Sequence, residues 1–155
     1  MRSLNFIIIL ATGLLLAGCH QDVLYVENQP VPKGVWSQGH FLKFDVPVTD
    51  TQQLYTIYLQ VRNDGRYEYS NLWLFITTSS PTGAVMQDTV ECVLAAPDGR
   101  WLGRGSGGRF SLEIPYRYQV RFPYEGVYSF EIQHGMRTKE LLHVADIGIR
   151  IQKAF

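Results

Sequence analysis

The stretch LYTIYLQVR, residues 54–62, decides the fold class because its side chains alternate in character from one residue to the next. Tyr55, Ile57, Leu59 and Val61 fall on one face of an extended chain, and the other face is mixed in polarity. A helix would need apolar residues three and four positions apart. The alternation therefore predicts a β-strand with one face in a core and the other half exposed to solvent.

The same alternation recurs through the rest of the chain, in residues 40–48, 85–95, 109–122, 126–134 and 146–153. Pro47 cannot donate a ladder hydrogen bond, so the first of these strands is expected at a sheet edge. Residues 71–78, NLWLFITT, are apolar on both faces, and this pattern predicts a central strand.

About eight or nine short strands separated by turn signals predict an all-β protein, an antiparallel β-sandwich or jelly roll. We assign it to a single domain over residues 40–155. Aromatic residues make up 13% of the chain and charged residues 18%, which favours a folded core over disorder. A single open sheet would leave one aromatic face in water, so we expect two sheets to close on each other.

Residues 1–18 predict a signal peptide. Arg2 supplies positive charge, and residues 6–16 form an apolar run that falls short of the roughly 20 residues of a transmembrane helix. Residues 16–19, LAGC, resemble the lipobox of bacterial lipoproteins, which predicts lipid attachment at Cys19. Residues 19–39 contain several prolines and glycines and little periodicity, so we expect a lipidated tether followed by an irregular segment leading into the domain.

Composition and spacing argue against several functional classes. The formal net charge is zero, which gives no electrostatic basis for nucleic-acid binding. With Cys19 lipidated, Cys92 has no partner for a disulfide and is expected to be a buried apolar side chain. The four histidines lack zinc-site spacing, the glycine-rich residues 103–108 lack a phosphate-loop lysine, and no pair of carboxylates stands out. We therefore expect no metal, no cofactor and no enzymatic activity.

Surface aromatic residues are the remaining functional signal. A set of tyrosine, tryptophan, arginine and asparagine side chains lies near two predicted turns: Arg66, Tyr67, Tyr69, Asn71, Arg100, Trp101 and Arg104. Such residues are enriched in protein contacts, and aromatic rings also stack on sugars. Three interpretations remain open: the aromatic rings cap the ends of the core, the set contacts another protein, or the rings bind a glycan.

Several segments together resemble the gliding-motility lipoproteins of the GldH type. They are the lipobox, RNDGRYEYSNLWLF (62–75), QDTVECVLAAPDGRWLGRGSGG (87–108), FPYEGVYSFEIQHGMR (122–137) and LLHVADIGIRIQK (141–153). The resemblance implies a lipid-anchored envelope protein of Bacteroidota, linked to the gliding machinery and its associated secretion system. It implies no enzymatic activity or cofactor, and among site residues it carries over Cys19 alone.

The residues after Cys19 bear on location. His20 stands where an aspartate would favour the inner membrane, and HQDV (20–23) lacks the acidic cluster used for export to the cell surface. We expect anchoring in the outer membrane, facing the periplasm. The predicted role is an accessory or assembly component that contacts other envelope proteins, and the alternative is a glycan-binding lipoprotein.

Overall fold

The computed structural model describes residues 22–154, which form eleven β-strands and contain no α-helix. No helix in this range is long and apolar enough to cross a membrane. The predicted signal peptide, Cys19 and the residues up to Gln21 lie outside the described residues. The strands are β1 (Val23–Pro30), β2 (Val35–Ser37), β3 (Leu42–Val48), β4 (Tyr55–Asp64), β5 (Asn71–Ser79), β6 (Val85–Val93), β7 (Arg104–Ser106), β8 (Arg109–Val120), β9 (Gly126–His134), β10 (Glu140–Leu142) and β11 (Val144–Lys153).

The strands form two main sheets and one small one. The five-stranded sheet has the order β1-β11-β4-β8-β7, and the four-stranded sheet has the order β3-β9-β5-β6. Strands β2 and β10 pair as a separate two-stranded sheet. Every strand pairing is antiparallel. The prediction of an all-β antiparallel sandwich is confirmed.

The core lies between the two main sheets. Strand β4 sits between β11 and β8, and its alternation places Tyr55, Ile57, Leu59 and Val61 inside, as predicted. The facing strands β3, β5 and β9, together with β11 beside β4 in the same sheet, contribute buried aliphatic and aromatic side chains in the same alternating pattern. These are Leu42, Phe44, Val46 and Val48 of β3, Leu72, Leu74 and Ile76 of β5, Tyr128, Phe130 and Ile132 of β9, and Ile147, Ile149 and Ile151 of β11.

The strands meet at two ends of the sandwich, which we call the N-terminal end and the far end. At the N-terminal end β1 begins beside the last residues of β11, β4 begins beside Val120, and β3 ends beside Gly126. At the far end β4 finishes at Asp64 opposite Arg109, and β9 finishes at His134. The chain leaves β9 at the far end and continues into β10, which belongs to the two-stranded sheet.

The two edges of the sandwich differ. Strand β3 is an edge strand, as the proline at position 47 predicts. At the opposite edge Asp88 of β6 accepts hydrogen bonds from Tyr116 and from Arg117 of β8, the latter at 2.7 Å. Burial opposes ionisation of Asp88, but these two donors outweigh it and lower its pKa. The ion pair between Asp88 and Arg117 therefore links β6 of one sheet to β8 of the other at this edge of the core.

The structure differs from the irregular segment predicted for residues 19–39. Strand β1 pairs along its length with β11, and β2 pairs with β10. Strand β1 lies at an edge with mostly exposed or half-exposed side chains, so its sequence carries no alternation to reveal it. The sandwich therefore starts at Val23 rather than at residue 40.

Residues 71–78 form a strand with two neighbours, but one of its faces is open to solvent. Strand β5 pairs with both β6 and β9, which makes it central in the four-stranded sheet. Its inner residues are buried, whereas Trp73 and Phe75 point outward and are 37% and 44% exposed. Apolar residues on both faces of this strand therefore indicate an exposed apolar patch on the outer face of the sheet, and not a strand that is buried on both faces.

His134 at the end of β9 is fully buried although it is ionisable. Its ring packs edge-on against Trp36, with ring centroids 5.5 Å apart. Neither ring nitrogen has a hydrogen-bond partner among residues 22–154. Burial lowers the pKa of His134 below its usual value of 6.5, because the charged imidazolium would lose its hydration.

This burial predicts a pH-dependent stability. Below pH 6.5 the unfolded chain binds a proton at His134 that the folded chain does not, so stability is full above pH 6.5 and falls as the pH drops toward the folded pKa. The expected slope from this residue is at most about 1.4 kcal/mol per pH unit. Urea unfolding at a series of pH values should show the slope reduced in His134→Leu and unchanged in His40→Gln, whose side chain is exposed. An unaltered slope in His134→Leu would contradict the assignment.

Candidate functional site

An aromatic groove lies on the outer face of the four-stranded sheet. It has a volume of about 440 Å³. Its lining combines aromatic, polar and basic side chains with one thioether. We define the aromatic groove by Tyr69, Asn71, Trp73, Phe75, Met136 and Arg137.

Strand β5 positions the two rings at the centre of the groove. Because Leu72, Leu74 and Ile76 face the core, the intervening Trp73 and Phe75 must face outward. The residues after β9 form the floor of the groove.

The floor depends on a glycine and a methionine. The Phe75 ring lies so close to Gly135 that a Cβ there would sit 3.0 Å from it. Met136 is buried, and its sulfur accepts a hydrogen bond from the Trp73 backbone N–H at 3.4 Å. The Gly135 N–H donates to the Trp73 carbonyl at 2.7 Å. Hydrogen bonds and close packing with the residues after β9 therefore hold the backbone that carries Trp73 and Phe75.

Polar groups border the rings. Asn71 donates from Nδ2 to Glu91 Oε1 at 2.7 Å, which fixes the amide at one end of the groove. Arg137 is exposed at the rim. An apolar centre with a polar and cationic rim is the usual arrangement of a contact site for another molecule.

Tyr67, predicted as a surface residue, is buried with 4% of its area exposed. Its hydroxyl donates to the Asn71 carbonyl at 2.9 Å, and burial raises its pKa. Its ring contacts those of Tyr69 and Trp101 at centroid distances of 5.7 and 6.4 Å. Tyr67 thus caps the core and supports Tyr69, which is exposed and lines the groove.

Trp101 is half-buried and also packs on the body of the protein. Its ring lies 5.6 Å from that of Phe110, and its backbone bridges to Ala95. It does not line the aromatic groove. The predicted set therefore divides: Tyr69 and Asn71 belong to the groove, and Tyr67 and Trp101 pack beneath and beside it.

The three predicted arginines lie outside the groove. Arg66 forms an ion pair with Asp64, and its hydrogen bonds hold the pKa of that carboxyl well below its usual range. Arg100 lies 3.9 Å from Asp98 and is largely exposed. Arg104 lies on β7 and lines a different, polar groove of about 520 Å³ on the five-stranded sheet.

A polar chain crosses that second groove. Asn28 donates to Gln60 at 2.9 Å, and Gln60 donates to Glu113 at 2.9 Å. Arg150 binds the same Glu113 carboxylate through two nitrogens, at 2.8 and 2.6 Å, and this contact lowers the pKa of Glu113. Gly148 makes room for Asn28, since a Cβ at position 148 would lie 2.1 Å from Asn28 Oδ1.

Several ionisable side chains among residues 22–154 form ion pairs with one another. The carboxylates of Asp88 and Glu113 are paired with Arg117 and Arg150, respectively. No group of three or more His, Cys, Asp or Glu side chains in this range is placed to hold a metal ion. Burial raises the pKa of the Cys92 thiol to about 12, so at neutral pH it carries no nucleophilic thiolate.

The sequence patterns did not predict four residues of the aromatic groove: Trp73, Phe75, Met136 and Arg137. A usable signal was present in residues 71–78, because an antiparallel sandwich exposes the outer face of each sheet. A strand apolar on both faces therefore predicts an exposed apolar surface. Met136 and Arg137 follow a strand end and carry no local pattern that would place them beside β5.

Comparison with known proteins gives a consistent family match. Residues 23–151 match the family described as GldH lipoprotein. The chain is 31% identical to the gliding motility lipoprotein GldH homolog of Christiangramia forsetii, over 162 residues and 99% of each chain. It is 28% identical to the gliding motility lipoprotein GldH of Flavobacterium johnsoniae, over 160 residues and 99% of each chain.

Among solved structures, the chain is similar to a carbohydrate-binding module specific for non-crystalline cellulose. The two share 10% sequence identity with a TM-score of 0.44, covering 83% of this chain and 73% of that one.

Proposed function

Because the chain belongs to the GldH lipoprotein family, we propose that it is a lipid-anchored, non-catalytic component of the cell envelope that serves the gliding-motility machinery and its associated secretion system. Both relatives are named as lipoproteins of gliding motility, and neither name describes an enzyme. Its role in this proposal is accessory or assembly-related, through contacts with other envelope proteins.

The aromatic groove is the observation that carries the proposed role. Trp73 and Phe75 are exposed and do not belong to the core of the sandwich. A contiguous exposed apolar patch with a polar rim is typical of a protein-contact surface. Trp and Tyr at such sites often contribute a large share of binding energy.

Lipid attachment at Cys19 supplies the location in this proposal. The LAGC tetrad supports it, and His20 in the following position supports the outer membrane. Facing the periplasm, the domain would meet partners confined to the same membrane. Confinement raises their effective concentration, so a modest surface can support a stable complex.

The double variant Trp73→Ser/Phe75→Ser tests the contact surface. We expect recovery of envelope partners from detergent-solubilised membranes to fall at least about tenfold, since two hot-spot side chains are removed. Quantitative mass spectrometry of the captured proteins measures the effect. The matched control is Val26→Ser/Leu142→Ser, which removes two apolar side chains elsewhere that are at least as exposed as Trp73 and Phe75. Unchanged capture by the groove variant, or an equal loss in the control, would contradict the proposal.

Glycan binding is the second candidate function. The strip formed by Tyr69, Trp73 and Phe75 offers aromatic faces beside the hydrogen-bonding groups of Asn71 and Arg137. Trp101 packs against other rings, so Trp73 is the better stacking platform. Retention of the protein on an immobilised polysaccharide, abolished by Trp73→Ala and kept in Trp101→Ala, would favour this function over protein contact.

A further inference from the structure

We propose that the sandwich stands on its N-terminal end, with Tyr118 and Tyr124 in the headgroup region of the membrane that holds the lipid anchor. The partner of this surface is a lipid bilayer. The inference rests on the proposed lipid attachment at Cys19 and adds an orientation and a contact surface to it.

The covalent length of the tether is the first argument. Only His20 and Gln21 separate Cys19 from Asp22, where the described chain begins. Three residue steps span at most about 11 Å in any conformation. The Asp22 carbonyl already accepts a hydrogen bond from Lys153 at the end of β11. The acylated cysteine is thus tied closely to the N-terminal end of the sandwich.

The tether is short compared with the distance between the two ends of the sandwich. Strand β8 has 12 residues and runs between the two ends, which at about 3.3 Å per residue separates them by roughly 36 Å. The tether is less than a third of that length. The far end therefore cannot reach the bilayer while the N-terminal end is held to it, unless the sandwich lies on its side.

The N-terminal end exposes side chains that suit a membrane interface. Tyr118 is 67% exposed near the end of β8, and Tyr124 is 51% exposed in the loop between β8 and β9. Val85, Met86 and Val127 are exposed at the same end. Tyrosine is enriched at membrane–water interfaces because its ring is apolar and its hydroxyl remains hydrated.

The loop that carries Tyr124 is held rigidly. Phe122 in the same loop is buried, and its ring packs against Tyr55 and Tyr128 with centroids 5.7 and 4.7 Å apart. The Tyr124 backbone N–H donates to the Tyr128 hydroxyl at 3.2 Å. Tyr124 is therefore presented outward from a fixed backbone, which lowers the entropy cost of membrane contact.

Charge does not drive this contact. The ionisable side chains at this end carry mixed signs: Asp22, Asp50, Arg121, Glu125 and Lys153. They nearly cancel, so there is no basic patch to attract anionic lipids. We expect the contact to form on zwitterionic lipid and to survive high salt, since aromatic and aliphatic side chains carry it.

A sideways arrangement is less favourable. The neighbouring edge formed by β1 and β3 presents Glu27, Lys43 and Asp45, of which the last two form an exposed ion pair at 3.5 Å. Resting this edge on the bilayer would remove these charges from water at a free-energy cost. The end-on arrangement also brings charged side chains near the bilayer, but it places the exposed rings of Tyr118 and Tyr124 at the interface, which tyrosine favours. It also keeps Trp73 away from the membrane, because six residue steps along β5, about 20 Å, lie between it and Ser79 at that end.

Site-directed fluorescence tests the orientation in the full acylated protein. An environment-sensitive fluorophore is placed at Glu125→Cys beside Tyr124, and the matched control is Ser106→Cys on exposed β7 at the far end. The buried Cys92 thiol does not compete for the label. In phosphatidylcholine vesicles containing a headgroup nitroxide lipid, we expect quenching at position 125 at least fivefold stronger than at position 106, with or without high salt.

One further variant and a measurement of the acyl mass on Cys19 separate the possible outcomes. Tyr118→Ser/Tyr124→Ser combined with an insert of about 20 Gly/Ser residues after Gln21 should bring quenching at position 125 to the level of position 106, since such a linker spans roughly 25 Å. Equal quenching at the two positions in the labelled acylated proteins that keep both tyrosines and the native tether would overturn the orientation. Absence of acyl mass on Cys19 would instead overturn the anchor on which the orientation rests.

Discussion

Trp36→Ala is expected to lower the free energy of unfolding by about 3–5 kcal/mol, a large share of the total stability of an ordinary domain. Trp36 is fully buried although it lies in β2, a strand of only three residues. The substitution would leave a cavity in the core cluster. It would also leave the His40 carbonyl, which accepts the indole N–H at 2.8 Å, without that donor.

The effect is large because Trp36 fixes the two-stranded sheet to the sandwich. An isolated pair of short strands is at best marginally stable. Strand β10 pairs with β2 and contributes the buried Leu141 to the same cluster. Trp36 also packs against His134 at the far end of β9. Loss of the indole would therefore loosen β2 and β10 together.

The three tryptophans of the chain offer a matched comparison. The same change to alanine should be most destabilising at the buried Trp36, intermediate at the half-buried Trp101, and within about 0.5–1 kcal/mol of zero at the exposed Trp73. Urea denaturation followed by far-ultraviolet circular dichroism avoids dependence on tryptophan fluorescence. A loss of stability at Trp73 as large as that at Trp36 would contradict the difference in burial between these two residues.

Sequence alternation predicted most of the sandwich because a half-buried antiparallel strand must separate its two faces. Strands β4, β9 and β11 carry continuous inner stripes, and each stripe is buried. The short strands β2 and β10 have too few residues for a pattern to appear. Strand β1 is held by backbone pairing at an edge, and its side chains give no signal of that pairing.

The candidate site was predicted less completely than the fold. Tyr69 and Asn71 were selected from local composition, and both line the groove. Arg137 lies more than 60 positions from Trp73, and the two meet through the pairing of β5 with β9. Such a contact depends on strand order, which a single sequence does not contain. Tyr67 looked like a surface residue because burial of a ring beneath a turn also depends on long-range packing.

Removal of the lipid is expected to release the protein from the membrane almost completely. The informative variant carries Cys19→Ser and an ordinary cleavable secretory signal in place of residues 1–18, so that the domain is still exported. Burial of acyl chains contributes about 0.8 kcal/mol per CH₂, and two or more chains anchor a protein stably. The contact proposed for Tyr118 and Tyr124 buries far less apolar area. The membrane-bound fraction after washing should therefore fall from nearly all of the protein to a few per cent, measured by immunoblotting of separated fractions.

The same variant separates anchoring from recognition. Its aromatic groove is unchanged, so its intrinsic affinity for a partner should be unchanged, whereas loss of confinement should lower the effective concentration by about 10²–10⁴. We expect capture of envelope partners to fall strongly and to recover when the domain is re-anchored through a different lipidated leader that ends in the same two residues before Asp22. Retention on the membrane and full partner capture by the Cys19→Ser protein would contradict the proposal, because another part of the protein would then have to supply the free energy assigned to the acyl chains.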